Sequence, residues 1–103
     1  MWVNSKLLYD TLYIYLEGEL DECSAGKIRL EIDSFIESNM NVKKVVFNLG
    51  NLSFMDSTGI GLLIGRYKKL NSIGVKSYIE NPMPSVQRVL ELSGLYGLMP
   101  KIG

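Results

Sequence analysis

The feature that most constrains the fold is a strongly apolar segment followed closely by an amphipathic one. Residues 42–49 contain the continuous apolar run Val45-Val46-Phe47, which is typical of a central strand covered on both faces. Residues 58–71 carry apolar side chains at intervals of three and four, which predicts a helix. Gly50-Asn51 predicts a turn between the two. A buried strand followed by a helix favours a sheet with parallel strands.

Strands and helices alternate along the rest of the chain, after an opening hairpin. Leu12, Ile14 and Leu16 alternate with other side chains, which predicts a half-buried strand, and a tight turn at Tyr9-Asp10 joins it to the strand before it. The order β-β-α-β-α-β-α-(β) predicts an α/β fold with a mixed sheet. Strands are predicted at residues 3–8, 12–17, 42–49 and 75–79 and within 95–102, and helices at 25–38, 58–71 and 85–92.

The start of the first helix is predicted from two signals. Gly18-Glu19-Leu20-Asp21 interrupts the alternation and predicts the end of the second strand. Ser24 is the predicted N-cap, because a serine side chain can accept a hydrogen bond from a free N–H of the first turn. The buried stripe of this helix is predicted to consist of Ala25, Ile28, Ile32, Phe35 and Ile36.

The second helix contains three glycines, Gly59, Gly61 and Gly65. Each costs the helix about 1 kcal/mol relative to alanine, which indicates a close approach either to the sheet or to another protein. Ile60, Leu63, Ile64, Tyr67 and Leu70 are predicted to face the core, and Arg66, Lys68 and Lys69 the opposite side.

Composition excludes several classes of function. Eleven basic and eleven acidic residues give no net charge, which argues against general nucleic-acid binding. The absence of histidine excludes Ser-His-Asp and Cys-His nucleophilic sites and histidine-based zinc sites. We expect no membrane span, because no apolar run reaches about 18 residues, and no cofactor or metal. A single cysteine, Cys23, and no signal peptide favour a cytoplasmic protein, and we expect this thiol to be inert.

An acid and two hydroxyl residues, Asp56-Ser57-Thr58, lie where the buried strand is predicted to give way to the helix. Asp56 or Ser57 could cap the helix, or Ser57 could accept a phosphate, because helix starts favour anions. A third role for Ser57, as a nucleophile, needs the base that a histidine would supply. The neighbouring glycines do not have the spacing of a nucleotide-binding loop.

The loops that follow parallel strands gather at one end of a sheet. Residues 18–24, 50–57 and 81–85 are therefore expected to be neighbours, with Asp21 and Ser57 on the same rim. Phe54, Met55 and Met83 flank this rim, and those that are exposed are expected to contact another protein, because methionine and aromatic residues are enriched at interfaces.

These residues also carry a family resemblance that covers nearly the whole chain. The run from Leu52 to Gly61, which contains Met55-Asp56-Ser57, resembles the signature of bacterial anti-sigma factor antagonists, which are STAS-domain proteins. It is most similar to the sporulation type that acts on sigma F. Residues 18–21 and the segments Pro84-Ser85-Val86 and Leu92-Ser93-Gly94-Leu95 match as well.

The resemblance implies a fold and a switch. The implied fold is a single STAS domain over residues 1–103, a mixed four- to five-stranded sheet with helices packed against it. Family members usually continue with another helix after the last strand, and this sequence departs from the family pattern there. In this family the serine after the aspartate, here Ser57, is phosphorylated by the anti-sigma factor, which is itself a serine kinase. The unphosphorylated form binds that kinase and frees the sigma factor, and a PP2C-type phosphatase restores the serine.

The resulting interpretation is a phosphorylation-switched binding module that is not an enzyme and that contacts neither nucleic acid nor membrane. The alternative is a STAS module that serves as a regulatory or scaffold part of a larger signalling assembly or of a transporter. The predicted phosphorylation site is Ser57. The predicted partner-binding residues are Asp21, Phe54, Met55, Asp56, Ser57, Thr58, Gly59, Ile60, Gly61 and Met83.

Overall fold

The structure, a computed structural model, describes residues 2–103. The elements follow the predicted order, with a short 3-10 turn at Leu95–Gly97 before the last strand. The strands are β1 (Trp2–Leu8), β2 (Thr11–Leu20), β3 (Lys44–Met55), β4 (Lys76–Glu80) and β5 (Lys101–Ile102), and the helices are α1 (Glu22–Glu37), α2 (Ser57–Ser72) and α3 (Pro84–Ser93).

The five strands form one mixed sheet in the order β1-β2-β3-β4-β5. β1 and β2 are an antiparallel hairpin, and the pairs β2–β3, β3–β4 and β4–β5 are parallel. The predicted hairpin and mixed sheet are therefore confirmed. The parallel pairs place the ends of β2, β3 and β4, and the helix starts that follow them, at one end of the sheet.

The core lies on one face of the sheet. Alternate residues of neighbouring strands, such as Ile14, Phe47 and Ile79, are paired in register and join the buried residues of all three helices in one cluster. Val46 points to the other face and lies outside that cluster, although it is only 1% exposed. The prediction that β3 is covered on both faces is confirmed by the burial of all three residues of its apolar run. On the second face Val46 is in register with Tyr13 and Tyr78, whose large side chains share that face.

β3 is longer than predicted and continues through Gly50-Asn51 to Met55. Its register with β2 shifts twice, once between the partners of Tyr15 and Glu17 and once between those of Gly18 and Glu19. Each shift places one extra residue in β3, as in a β-bulge. The predicted turn at Gly50-Asn51 and the predicted end of β2 at Gly18 were wrong, because these residues bend paired strands without ending them. A Cβ on Gly50 would lie 2.6 Å from the side-chain Nδ2 of Asn81, so a larger residue here would displace that exposed side chain.

The first helix begins earlier than predicted. Its N-cap is Asp21, whose Oδ1 accepts hydrogen bonds from the N–H groups of Cys23 at 3.0 Å and Ser24 at 3.1 Å. The Ser24 hydroxyl accepts in turn from the Asp21 N–H at 3.1 Å, which completes a capping box. Ser24 was therefore wrong as the N-cap and right as a capping residue, three positions into the motif.

The second helix packs on β3 and β4 beside α1, which packs on β1 and β2. The predicted close approach holds at Gly59, where a Cβ would lie 2.6 Å from Cγ of Met55 and 3.1 Å from Leu20. Gly61 and Gly65 have no described neighbour within 4 Å of a Cβ. The prediction that Arg66 and Lys69 lie opposite the packed side was wrong, because both reach α1. Arg66 Nε is 3.0 Å from Asp33 Oδ1, an ion pair without the alignment of a hydrogen bond, and Lys69 bridges Asp33 and Glu37.

No helix within residues 2–103 is both long and apolar enough to cross a membrane.

Candidate functional site

The candidate site is the rim at which β2 and β3 end side by side. Leu20 and Met55 are paired residues at the ends of these parallel strands, and the Asp56 N–H donates to the Leu20 carbonyl at 3.4 Å. Asp21 and Asp56 therefore follow equivalent positions on neighbouring strands, and each caps the helix that comes next. The prediction that Asp21 and Ser57 share a rim is confirmed by this register.

Asp56 holds the start of α2. Its Oδ1 accepts hydrogen bonds from the N–H groups of Thr58 at 2.9 Å and Gly59 at 3.3 Å. Of the two capping alternatives, the structure therefore favours Asp56. Two N–H donors of the first turn are consequently already paired, and fewer remain for an anion on the neighbouring serine.

Ser57 is the first residue of α2, and both Ser57 and Thr58 are exposed. Asp56, the N-cap, precedes Ser57 in the chain, and the buried residues Gly59 and Ile60 follow Thr58. A hydroxyl in this place is accessible from solvent and lies near the positive end of the helix dipole. It has the accessibility that a modifying enzyme requires.

Fewer apolar residues of the site are exposed than predicted. Phe54 is 45% exposed and Met83 is 39% exposed, whereas Met55 is only 3% exposed. Met55 packs in the core together with Ile60. Met55, Gly59 and Ile60 are buried in the structure, which corrects their predicted place on the exposed contact surface. These residues lie beneath the surface, whereas Phe54, Met83 and Gly61 are exposed.

The third loop joins the rim as predicted. The Ser85 hydroxyl at the start of α3 donates to the Ser53 carbonyl at 3.5 Å. The Ser53 hydroxyl donates in turn to the Gly18 carbonyl at 3.0 Å. The three predicted neighbouring segments are thus linked by direct hydrogen bonds.

A cleft of about 440 Å³ opens beside the start of α1. The exposed side chains of Glu19 and Ser53 contribute to it. Neither residue was among the predicted partner-binding residues, although both lie in the segments 18–24 and 50–57 that were expected to meet at the rim. The cleft is lined by Gly18, Glu19, Asp21, Cys23, Ser24 and Ser53.

The rim offers acidic and hydroxyl groups but no clustered metal ligands. No group of three or more histidine, cysteine or acidic residues in the described part of the chain is placed to hold a metal ion. Glu19, Asp21 and Asp56 give this end of the molecule a negative character. The arrangement can present a serine hydroxyl and bind a complementary protein surface.

The fold and the rim define a class of protein: a small α/β domain with one mixed sheet, which presents an exposed serine at the start of a capped helix. The model of the STAS domain matches residues 3–102. This chain belongs to the STAS-domain family.

Two curated relatives are anti-sigma factor antagonists by name. The anti-sigma F factor antagonist of Paenibacillus polymyxa is 38% identical over 89 residues, which cover 86% of this chain and 75% of the relative. The anti-sigma-B factor antagonist of Staphylococcus aureus strain NCTC 8325 is 40% identical over 82 residues, which cover 80% of this chain and 74% of the relative. The predicted resemblance to the sigma F type is confirmed by the first of these relatives.

Two solved structures extend the comparison. The anti-sigma factor antagonist SpoIIAA in its unphosphorylated form superposes with a TM-score of 0.80 at 33% identity, over 99% of this chain and 89% of that one. The Bacillus cell fate determinant SpoIIAA in its phosphorylated form gives a TM-score of 0.71 at 32% identity, over 99% and 92%. These matches confirm the predicted fold.

Proposed function

We propose that this chain is an anti-sigma factor antagonist that is switched by phosphorylation of Ser57. The observation that carries the proposal is the accessible Ser57 at the first position of a helix whose cap is already filled by Asp56. The names of the relatives support the antagonist role, and a similar protein has been solved in a phosphorylated and an unphosphorylated form.

The proposed partner of the unphosphorylated chain is an anti-sigma factor that is a serine kinase. Its docking surface would combine exposed apolar groups, Phe54 and Met83, with the hydroxyl rim at Ser57 and Thr58 and the carboxylate of Asp21. Exposed aromatic and methionine side chains beside polar groups are typical of protein interfaces. In this proposal the kinase supplies ATP and Mg²⁺, and the chain supplies only the hydroxyl that accepts the phosphoryl group.

Phosphorylation would reverse binding through local electrostatics. A phosphoserine adds about −1.5 to −2 charges at neutral pH. The N–H groups of Thr58 and Gly59 already donate to Asp56, so the phosphate finds little compensation there beyond the helix dipole. Its charge would adjoin the carboxylate of Asp56, on a rim that also carries Asp21. Burying such an uncompensated charge in an interface is strongly unfavourable, so the partner dissociates without any refolding of the chain.

A PP2C-type phosphatase is the proposed partner that restores the serine. Because Ser57 is exposed, its phosphate would be accessible once the kinase has dissociated. The chain itself performs no catalysis in this scheme and acts as a regulatory binding protein.

The proposal is tested by incubating the chain with its cognate anti-sigma kinase and ATP. We expect mass spectrometry to find one added phosphoryl group, which fragment spectra place on Ser57. The Ser57→Ala variant should remain unmodified, whereas the matched control Thr58→Ala should be modified like the natural chain. A phosphoryl group that persists in Ser57→Ala and disappears in Thr58→Ala would contradict the assignment.

A further inference from the structure

The two edges of the sheet differ in how they are protected. β5 has two residues and follows Pro100, and short strands and prolines are common means of closing an edge. β1 has seven residues, contains no proline, and pairs with β2 in an unbroken register from Trp2 to Leu8. Within residues 2–103 no strand pairs with its outer side. β1 is therefore an open edge that can accept a further strand.

The open edge is also apolar. Among the residues that the structure describes, four of the eleven exposed large hydrophobic side chains lie within residues 2–9, namely Trp2, Leu7, Leu8 and Tyr9, and Tyr9 is 94% exposed. Lys6 is the only charged residue of β1. An edge strand that is long, regular and poor in charge is a template for pairing with another chain. This surface lies on β1 and its turn, whereas the rim at Ser57 follows β3.

We propose that β1 pairs with β1 of a second copy of this chain, antiparallel, so that two sheets join into one continuous sheet. Pairing of identical strands in this direction has a two-fold axis, as the interface of a homodimer requires. An axis perpendicular to the sheet keeps both helix layers on the same face and pairs residues that point to the same face. The sequence of β1 is self-complementary about one such axis, which passes through Ser5.

With the axis at Ser5 all seven residues of β1 find a partner. Trp2 lies opposite Leu8 of the second copy, Val3 opposite Leu7, and Asn4 opposite Lys6, so apolar residues meet on both faces. Such cross-strand apolar pairs stabilise a sheet.

The two neighbouring registers are less favourable. With the axis at Lys6, the two Lys6 side chains lie directly opposite each other, and like charges in that position are destabilising. With the axis at Asn4, Trp2 lies opposite Lys6, and Leu7 and Leu8 lose their partners within the described strand. The proposal that a second copy of this chain pairs with β1 therefore rests on the sequence of β1 and not only on its exposure.

The test is sedimentation of the full chain over a range of concentrations, with two matched variants at Asn4. Asn4 is exposed on β1, so neither variant disturbs the core. In the proposed register Asn4→Lys creates two like-charged pairs with Lys6 per dimer, and Asn4→Glu creates two opposite-charged pairs. We expect a dimer of the natural chain, whose dissociation constant rises by about twofold to thirtyfold in Asn4→Lys and falls by a similar factor in Asn4→Glu at low salt.

A distant substitution separates this interface from unspecific association. Leu92→Lys changes a residue of α3 that is 80% exposed and far from β1 in the sheet order, and it should leave the dissociation constant unchanged. Hydrogen exchange should show β1 amides that become protected as the concentration rises. A chain that stays monomeric up to millimolar concentration, or a dimer that responds equally to both Asn4 variants, would overturn the proposal.

Discussion

The cap of α2 allows the capping role of Asp56 to be separated from its charge. Asp56→Ala removes the acceptor of two hydrogen bonds, from Thr58 N–H at 2.9 Å and Gly59 N–H at 3.3 Å. Loss of an N-cap side chain costs about 0.5–2 kcal/mol. Asp56→Asn keeps a capping oxygen and loses only the interaction of the charge with the helix dipole, about 0.3–1 kcal/mol. We therefore expect Asp56→Ala to be the less stable of the two.

The assay is urea unfolding followed by circular dichroism, with thermal melts as a second measurement. For a domain of this size, each kcal/mol corresponds to a Tm decrease of about 4–8 °C. Asp56→Ala should melt several degrees below Asp56→Asn, and both should melt below the natural chain. Equal stability of Asp56→Ala and the natural chain would refute the cap as a stabilising feature. Equal stability of the two variants would show that only the charge matters.

Two further predictions concern packing and pH. Gly59→Ala places a Cβ 2.6 Å from Met55, and we expect it to lower the free energy of unfolding by about 1–3 kcal/mol. Gly61→Ala has no described neighbour within 4 Å of its Cβ and should raise the free energy of unfolding by about 0.5–1 kcal/mol. Urea unfolding that gives both variants a change of the same sign would contradict this. Burial raises the pKa of Tyr96 above 10.0, and the Glu91 carboxylate adds to the effect, so the folded state holds this proton more tightly than the unfolded state does. The stabilisation by this group is complete below about pH 10 and is lost as the pH rises through the raised pKa. The Tm of Tyr96→Phe should therefore decrease less steeply with alkaline pH than the Tm of the natural chain. An equal decrease of Tm in both proteins would contradict the assignment.

The element order and the hairpin could be predicted because each depends on a hydrophobic period or on turn residues that lie close together in the sequence. Alternation at Leu12, Ile14 and Leu16 and the helical spacing of Ile28, Ile32 and Ile36 correspond to buried residues of the structure. These patterns depend on which side of one element is buried, and that information is present in the sequence around each residue.

The length of β3 could not be predicted because it depends on a neighbouring strand. Gly50-Asn51 has the composition of a turn, and only pairing with β2 shows that the strand passes through it as a bulge. The burial of Val46 was predicted from the continuous apolar run, and the structure confirms it. Its neighbours Tyr13 and Tyr78 come from strands that are distant in sequence, so they could not be named from the sequence.

The candidate site could be predicted only in part, because some of its features depend on the pairing of strands that are distant in sequence. Asp56 as a cap and the shared rim of Asp21 and Ser57 follow from residue type and from the geometry of parallel strands, and the structure has both. Whether Phe54 or Met55 faces solvent depends on the register after the bulges. A single-residue shift reverses the two faces of a strand, so the sequence could not decide between them.

The proposed switch is tested most directly by the affinity of the ADP-loaded anti-sigma kinase for the chain in its two forms. Isothermal titration calorimetry would compare the unphosphorylated chain, the chain phosphorylated on Ser57, and the variants Ser57→Ala and Ser57→Asp. We expect the natural chain and Ser57→Ala to bind with similar affinity, and the phosphorylated chain and Ser57→Asp to bind much more weakly. Equal affinity of the phosphorylated and unphosphorylated chains would contradict the account.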